Sequence, residues 1–391
     1  MVAGDGRVKK LASQRGTDDI PGIVKDLKAA PQDGKEQIAH LLDILATANE
    51  ANPSAIVRAG GIKLLVDMLS SGTDGGQLHA ASTLATIAAS KKEFILATVD
   101  AGVIGPLVGL LRKGSNKAQV YAAAAVASIS QDPEHKDAMI QAGAIQPLVR
   151  LVRSDVAFDG QVYASDAIAN LSHQNHKAQS AIHAAGAIPL LLKLLESGKA
   201  QISAANALGM VMSPGPEPND SPPDLTPANA ETQQAVAAGG AIPPLLSLLN
   251  GMNVLGQVHA ASALSNIARE NEANQNQIVA AGGIPTLLEL LSSRSPEAQA
   301  QGASALAQIA RFNRENQGKI ANAGALPQLV ALLISNLGKR SSRRLRQATT
   351  LPLGMHADAI AVQRLLPSHD LSFLLLHRPQ ISMCKRWRHL R

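Results

Sequence analysis

Three histidines close together are the first residues whose types and spacing could do chemistry. His173, His176 and His183 supply imidazole nitrogens of the kind that bind zinc. No cysteine or acidic cluster joins them, and a zinc site needs four organised ligands. We therefore interpret them as ordinary histidines. The motifs GxxxxGK[ST], HExxH and GxSxG are absent from the sequence, so no catalytic site, metal or cofactor is predicted.

A second set of polar and aromatic residues could bind a peptide. Side-chain amides such as that of asparagine can bond a peptide backbone, while aromatic rings pack on its side chains. The only two tyrosines of the chain, Tyr121 and Tyr163, are 42 residues apart, which indicates equivalent positions in a repeated unit. The candidate peptide-binding residues are Tyr121, Tyr163, Asp166, Asn170, His259, Ser262, Asn266 and Gln308.

The elements that would position these residues recur along the chain. An equivalent aliphatic residue returns at intervals of 42, 42, 41, 43, 54, 42 and 42 residues. These landmarks are Ile20, Ile62, Ile104, Ile145, Ile188, Ile242, Ile284 and Leu326. A period in this range is typical of a helical solenoid, in which each unit buries its apolar face only against its neighbours.

Each repeat is predicted to contain three helices. Ala-Gly precedes seven of the eight landmarks, and a proline commonly follows within one or two residues. Glycine suits the position just past a helix C-terminus, and proline suits the first helical turn, so a short first helix turns sharply into a second. The hinge glycines are predicted to be Gly60, Gly102, Gly143, Gly186, Gly239, Gly282 and Gly324. A polar turn then leads into a longer third helix.

The third helices can be aligned in columns on Asn266 as the reference position. Two positions earlier and one position later every repeat has an aliphatic residue, as Leu264 and Ile267 are in the sixth repeat. These columns predict the core. The reference position and the positions four and seven residues before it share the opposite helical face, which carries the candidate peptide-binding residues.

The period near 42, the Ala-Gly-aliphatic-Pro hinge and third helices such as ALSNIA resemble armadillo repeats. The HEAT repeat is the structural rival, but its two-helix units lack the regular glycine hinge. The resemblance covers residues 20 to about 335. It implies an all-α fold, a right-handed α-solenoid with three helices per repeat and about seven full repeats plus a partial one. It also implies that the polar face of the third helices lines a concave groove.

Three regions are predicted from changes in composition. Residues 1–19 form a partly disordered lead, residues 20–336 form the solenoid, and residues 337–391 form a mostly disordered basic tail. Residues 213–229 contain six prolines and are predicted to be a surface loop, which could also be a docking site for a partner domain. The tail carries 11 Lys or Arg against two Asp. It could be a localisation signal, an acidic-surface contact, a solvated extension or a gene-model artefact.

Charge and cysteine content limit the partners and the compartment. Without the tail the net charge is −3, so we expect no nucleic acid to bind the repeat body. No stretch has the roughly 18 uninterrupted apolar residues of a membrane span, and no membrane insertion is expected. The single cysteine, Cys384, cannot form an internal disulfide, which favours the cytoplasm, the nucleus or both. A monomer is expected.

These observations favour a non-catalytic scaffold that binds extended segments of partner proteins in its concave groove. The alternatives are a nuclear transport adaptor resembling importin-α and the substrate-binding subunit of a ubiquitin ligase assembly. Importin-α holds Lys-rich signals with a Trp four residues before the reference Asn. The corresponding positions here hold Ala124, Asp166 and Ser262, and no Trp occurs before the tail.

Overall fold

The computed structural model describes residues 19–153, 158–198, 200–214 and 227–332, with the backbone alone at positions 33, 227 and 228. Within these ranges the regular structure is helical throughout. In chain order the helices are α1 Ile20–Ala29, α2 Gln32–Ala48, α3 Asn52–Arg58, α4 Gly61–Ser71, α5 Asp74–Ser90, α6 Lys92–Asp100, α7 Ile104–Lys113, α8 Asn116–Ile129, α9 Lys136–Gln141, α10 Ile145–Arg153, α11 Phe158–Ser172, α12 His176–Ala184, α13 Ala187–Ser197, α14 Gln201–Val211, α15 Pro227–Ala238, α16 Ile242–Leu249, α17 Val254–Ala268, α18 Glu272–Ala280, α19 Gly283–Leu291, α20 Pro296–Ala310, α21 Arg314–Asn322 and α22, residues 325–332.

The helices are grouped into repeats of three. Helices α1 and α2 are the second and third helices of repeat 1, and α3–α5 form repeat 2. Repeats 3 to 7 follow in the same order, and α21 and α22 begin repeat 8. The prediction of an all-α solenoid with three helices per repeat is therefore confirmed. The predicted lead up to residue 18 and the predicted tail, residues 337–391, lie outside the described residues.

The hinge between the first and second helices depends on a left-handed glycine. Six of the seven predicted hinge glycines have φ between +74° and +86°. Such a φ favours glycine because it has no Cβ. The resulting bend is 84° between α6 and α7. In repeat 6 the prediction was wrong by one residue: Gly240 has φ +83°, whereas Gly239 ends α15 within contact distance of Leu192.

A glycine pair in repeat 3 allows the hinge conformation to be tested without steric interference. A Cβ added to Gly102, which has φ +84°, or to Gly105 in α7 would meet no atom within 4 Å. We expect Gly102→Ala to lower the free energy of unfolding by about 1–2 kcal/mol, because an L-residue is strained at this φ. The control Gly105→Ala should be neutral or stabilise by up to about 1 kcal/mol. Urea denaturation followed by circular dichroism measures both, and equal destabilisation would contradict the hinge role.

The core is a continuous aliphatic layer provided mainly by the third helices. Every member of the two predicted aliphatic columns is at most 4% exposed, and Leu264 and Ile267 are fully buried. Small residues let neighbouring third helices approach closely. A Cβ on Gly209 would lie 3.4 Å from the Ala263 backbone of the next third helix. The packing agrees with the sequence prediction, because apolar side chains interdigitate where backbones come close.

The predicted proline-rich loop is described only at its two ends. Residues 215–226 lie outside the described residues, and helix α15 begins at Pro227. The helix therefore starts three residues before the predicted end of the loop. Proline is tolerated there because the first residues of a helix have no intrahelical partner for an N–H group.

The helices of the described ranges are short and mostly amphipathic. None of them alone has the length and apolar character required to cross a membrane.

Candidate functional site

The third helices place four of the predicted site residues around one open groove. Helices α2, α5, α8, α11 and α14 enclose a volume of about 660 Å³. Tyr121, Tyr163, Asp166 and Asn170 line it. The other four predicted residues lie on α17 and α20 and do not line this volume; they are His259, Ser262, Asn266 and Gln308.

Side chains of consecutive third helices meet in a regular way along the groove. The residue four positions before the reference in one repeat contacts the residue seven positions before it in the next repeat. The observed pairs are His40 with His79, Ser82 with Tyr121, and Asp166 with Ser203. The two imidazole rings stack with centroids 4.1 Å apart, and the other two pairs are hydrogen-bonded.

Repeat 3 interrupts this polar series. Ala124 occupies the position that Ser82 and Asp166 occupy in the neighbouring repeats, and its methyl group offers nothing to bond Tyr163. Tyr163 is 36% exposed, whereas Tyr121 is half-buried. The Tyr163 ring and hydroxyl are therefore the more available to a bound molecule.

The charges lining the groove are all acidic. Asp43 and Asp166 are the charged lining residues, and no lysine or arginine is among them. Asp43 Oδ2 lies 2.9 Å from His79 Nδ1. Burial raises the pKa of Asp166, although its hydrogen bond with Ser203 acts in the opposite direction. Burial, with a contribution from Asp43, also raises the pKa of Tyr121.

The two reference asparagines already have partners within the protein. Asn170 Nδ2 donates to Ala127 O at 2.8 Å, and Asn266 Nδ2 donates to Gly209 O at 2.9 Å. In both cases the acceptor is the residue before the reference position of the preceding repeat. Asn266 is 7% exposed. These amides join consecutive third helices, and each has one N–H group and one oxygen left for a ligand.

The predicted residues at the other end of the stack have mixed surroundings. His259 and Ser262 are half-buried on α17. Gln308 is half-buried on α20, and its side-chain oxygen is buried with no hydrogen-bond partner. Their distance from the open groove gives no support for treating all eight predicted residues as one pocket.

A set of buried glutamines was missed by the sequence analysis. Gln275 Nε2 donates to Ala268 O of repeat 6 and to Gln308 O and Arg311 O of repeat 7. Gln179 makes the corresponding bonds to the ends of α11 and α14. We call these side chains the glutamine clamps. Both stand nine residues before a landmark, a signal that column alignment of the first helices would have found.

The three histidines that could suggest a metal site have separate roles. His173 O accepts a bond from Lys136 Nζ at 2.9 Å. His176 Nδ1 pairs with Gln179 Oε1, and His183 Nδ1 pairs with Thr232 Oγ1. Across the described ranges no group of three or more His, Cys, Asp or Glu side chains is arranged to hold a metal.

His259 predicts a loss of stability in mild acid. Burial lowers the pKa of His259, with Glu297 partly opposing this effect. The folded state therefore disfavours the protonated ring, and stability falls as the pH drops below about 6.5, the value for an unfolded histidine. We expect His259→Gln to reduce the fall, since glutamine stands at the equivalent positions 37 and 301. Urea midpoints at pH 7.5 and 5.5 that change equally in both proteins would contradict this.

The sequence and fold match known armadillo proteins. A family model described as Armadillo/beta-catenin-like repeat matches residues 49–89, 132–173 and 229–269. A crystal structure of an engineered protein is 33% identical with a TM-score of 0.66, over 84% of this chain and 76% of that one. A designed armadillo repeat protein is 29% identical with a TM-score of 0.54, over 63% of this chain and 99% of that one.

A further designed armadillo repeat protein, in complex with the peptide (KR)4, is 29% identical with a TM-score of 0.52, over 63% of this chain and 99% of that one. No curated protein sequence matches the chain. The three-helix repeats, the glycine hinge and these matches agree, and the chain belongs to the armadillo repeat family.

Proposed function

We propose that the chain is a non-catalytic scaffold that binds extended segments of partner proteins along its third helices. The observation that carries this proposal is the open groove of about 660 Å³ shared by five consecutive third helices. A groove crossing several repeats suits an elongated ligand better than a compact one. Polar amides, hydroxyls and two aromatic rings at regular spacing suit a polypeptide in particular.

The solved relatives support the same ligand class. One designed armadillo repeat protein similar to this chain is in complex with the peptide (KR)4. The shared fold supports binding of a peptide here, whereas the sequence of the peptide must follow from the residues of this groove. A monomer in the cytoplasm, the nucleus or both is part of the proposal, supported by the single cysteine.

A nuclear transport adaptor is the second candidate. The acidic lining supplied by Asp43 and Asp166 favours it, because a cationic signal would find opposite charge there. The serine, aspartate and alanine at the positions of the importin-α tryptophans weigh against it. Measured affinity for a Lys-rich signal peptide separates the two candidates, since the scaffold should bind it no better than nonspecifically.

The proposal can be tested by selecting ligands with the full chain. A peptide-display library of random dodecamers is panned against the protein, and the selected peptides are measured by fluorescence anisotropy. We expect Tyr163→Ala to weaken their binding about tenfold, as the loss of an aromatic contact commonly does. Tyr163 is suited to this test because it lines the groove and is not buried in the core.

The matched control is Phe312→Ala. Phe312 is a 79% exposed aromatic residue that does not line the groove. It should leave peptide binding unchanged. Failure to select any peptide, or equal loss of binding in both variants, would reject the proposed function.

A further inference from the structure

The interruption of the polar series at Ala124 leaves a notch in the groove. Tyr121 and Ala124 lie one turn apart on α8, and Tyr163 and Asp166 lie one turn apart on α11. These four residues define the notch. Helices α8 and α11 pack against each other, and both tyrosines line the groove. Within the described residues the two tyrosine rings do not stack on each other, unlike the rings of His40 and His79.

We propose that this notch receives the side chain of an arginine in an extended partner segment. The inference rests on the proposed function and specifies which residue the groove selects.

The shape of the notch fits a flat group on an apolar stem. Packed helices are about 8–10 Å apart, so equivalent tyrosines on α8 and α11 leave room for a planar group between or against their rings. The Ala124 methyl group at the base provides an apolar contact for the stem. A polar residue at this position, as in the neighbouring repeats, would occupy that space.

The charge of the notch requires a cationic side chain. Asp166 stands at its edge and Asp43 lies further along the same groove, whereas no lysine or arginine lines it. An acidic partner residue would meet these carboxylates without compensation. A cation over a tyrosine ring is in addition favoured by the ring quadrupole.

Arginine fits better than lysine for two reasons. The guanidinium is planar and stacks on aromatic rings, and it is more weakly hydrated than an ammonium group. It also presents several N–H donors in fixed directions, which can bond the Asp166 carboxylate and the remaining Asn170 oxygen together. An ammonium group gains less because it remains strongly hydrated in so open a groove.

The test compares four fluorescein-labelled octapeptides of alternating glycine with arginine, lysine, glutamate or phenylalanine. Binding to the full chain is measured by anisotropy at about 150 mM salt, where nonspecific charge attraction is screened. We expect the arginine peptide to bind about tenfold more tightly than the lysine peptide of equal charge. The glutamate and phenylalanine peptides should bind more weakly still.

Filling the notch distinguishes it from the rest of the groove. Ala124→Leu should weaken binding of the arginine peptide at least tenfold, because leucine occupies the space for the stem. Ser262→Leu makes a similar change at the equivalent position of repeat 6 and should change affinity less than twofold. Tyr163→Phe, which keeps the ring, should retain binding, whereas Asp166→Asn should reduce it. Circular dichroism confirms that each variant is folded.

Several outcomes would overturn the inference. Equal affinity for arginine and lysine peptides would show general charge attraction, and preference for phenylalanine would show an apolar pocket. Equal effects of Ala124→Leu and Ser262→Leu would remove the notch from the binding site. The display library separates this inference from the proposed function. Peptides that need Tyr163 but show no arginine enrichment reject the notch alone, whereas an absence of selected peptides rejects both.

Discussion

Replacement of Gln275 by glutamate is expected to lower the free energy of unfolding by about 3–5 kcal/mol. Gln275 is 2% exposed, and its Nε2 atom lies 2.9–3.1 Å from three backbone carbonyl oxygens. A carboxylate has no donor, so it would face these oxygens without a proton between them and without water. The buried carbonyls would also lose their partner, which is costly in itself.

The control for this prediction is Gln277→Glu. Gln277 lies in the same helix, α18, and is exposed. The charge change is identical, but the effect should stay within about 0.5 kcal/mol. Urea denaturation of the full chain measures both variants, and hydrogen exchange should place the loss at the ends of α17 and α20. Similar stability of the two variants would show that the glutamine clamp contributes little.

Replacement of Leu264 by alanine is expected to cost about 2–5 kcal/mol, because it removes buried apolar surface and leaves a cavity. Leu264 is fully buried in α17. The same substitution at Leu255, near the start of this helix and 55% exposed, should have an effect below about 1 kcal/mol. The comparison separates burial from helix propensity, since both changes place alanine in one helix.

The loss at Leu264 should also be local. Each repeat of a solenoid contacts only its neighbours, so its stability depends mainly on nearest-neighbour packing. We expect faster amide exchange in repeats 5 to 7 of Leu264→Ala, while repeats 1 to 3 keep the rates of the unchanged protein. Uniform acceleration along the chain would mean that the stack unfolds as a single unit.

The periodic landmarks predicted most of the fold because each repeat solves the same packing problem. Leu264 and Ile267 were placed in the core by their columns alone, and both are fully buried. The error at Gly239 arose where two glycines adjoin, since composition cannot say which of them takes the left-handed conformation. The start of α15 was missed because proline breaks a helix interior but is tolerated at its beginning.

The groove was harder to predict because its properties depend on pairs of residues from different repeats. Asn170 and Asn266 looked like free ligands for a peptide, yet each already bonds a carbonyl of the preceding third helix. Asp43 was missed because it lies outside the three aligned columns. The importance of Ala124 became visible only when the neighbouring pairs were seen in contact. The peptide-binding role of the eight predicted residues stays a prediction.

The glutamine clamps are unevenly distributed along the stack. At their position repeats 2 and 3 have Pro53 and Ile95, whose side chains cannot donate a hydrogen bond. The third helices of these two repeats belong to the groove, whereas the bonds made by Gln179 and Gln275 tie together the later repeats. A change in curvature at the groove would therefore break no bond of this kind. The superhelix has its more compliant section where a ligand would be accommodated and its stiffer section beyond.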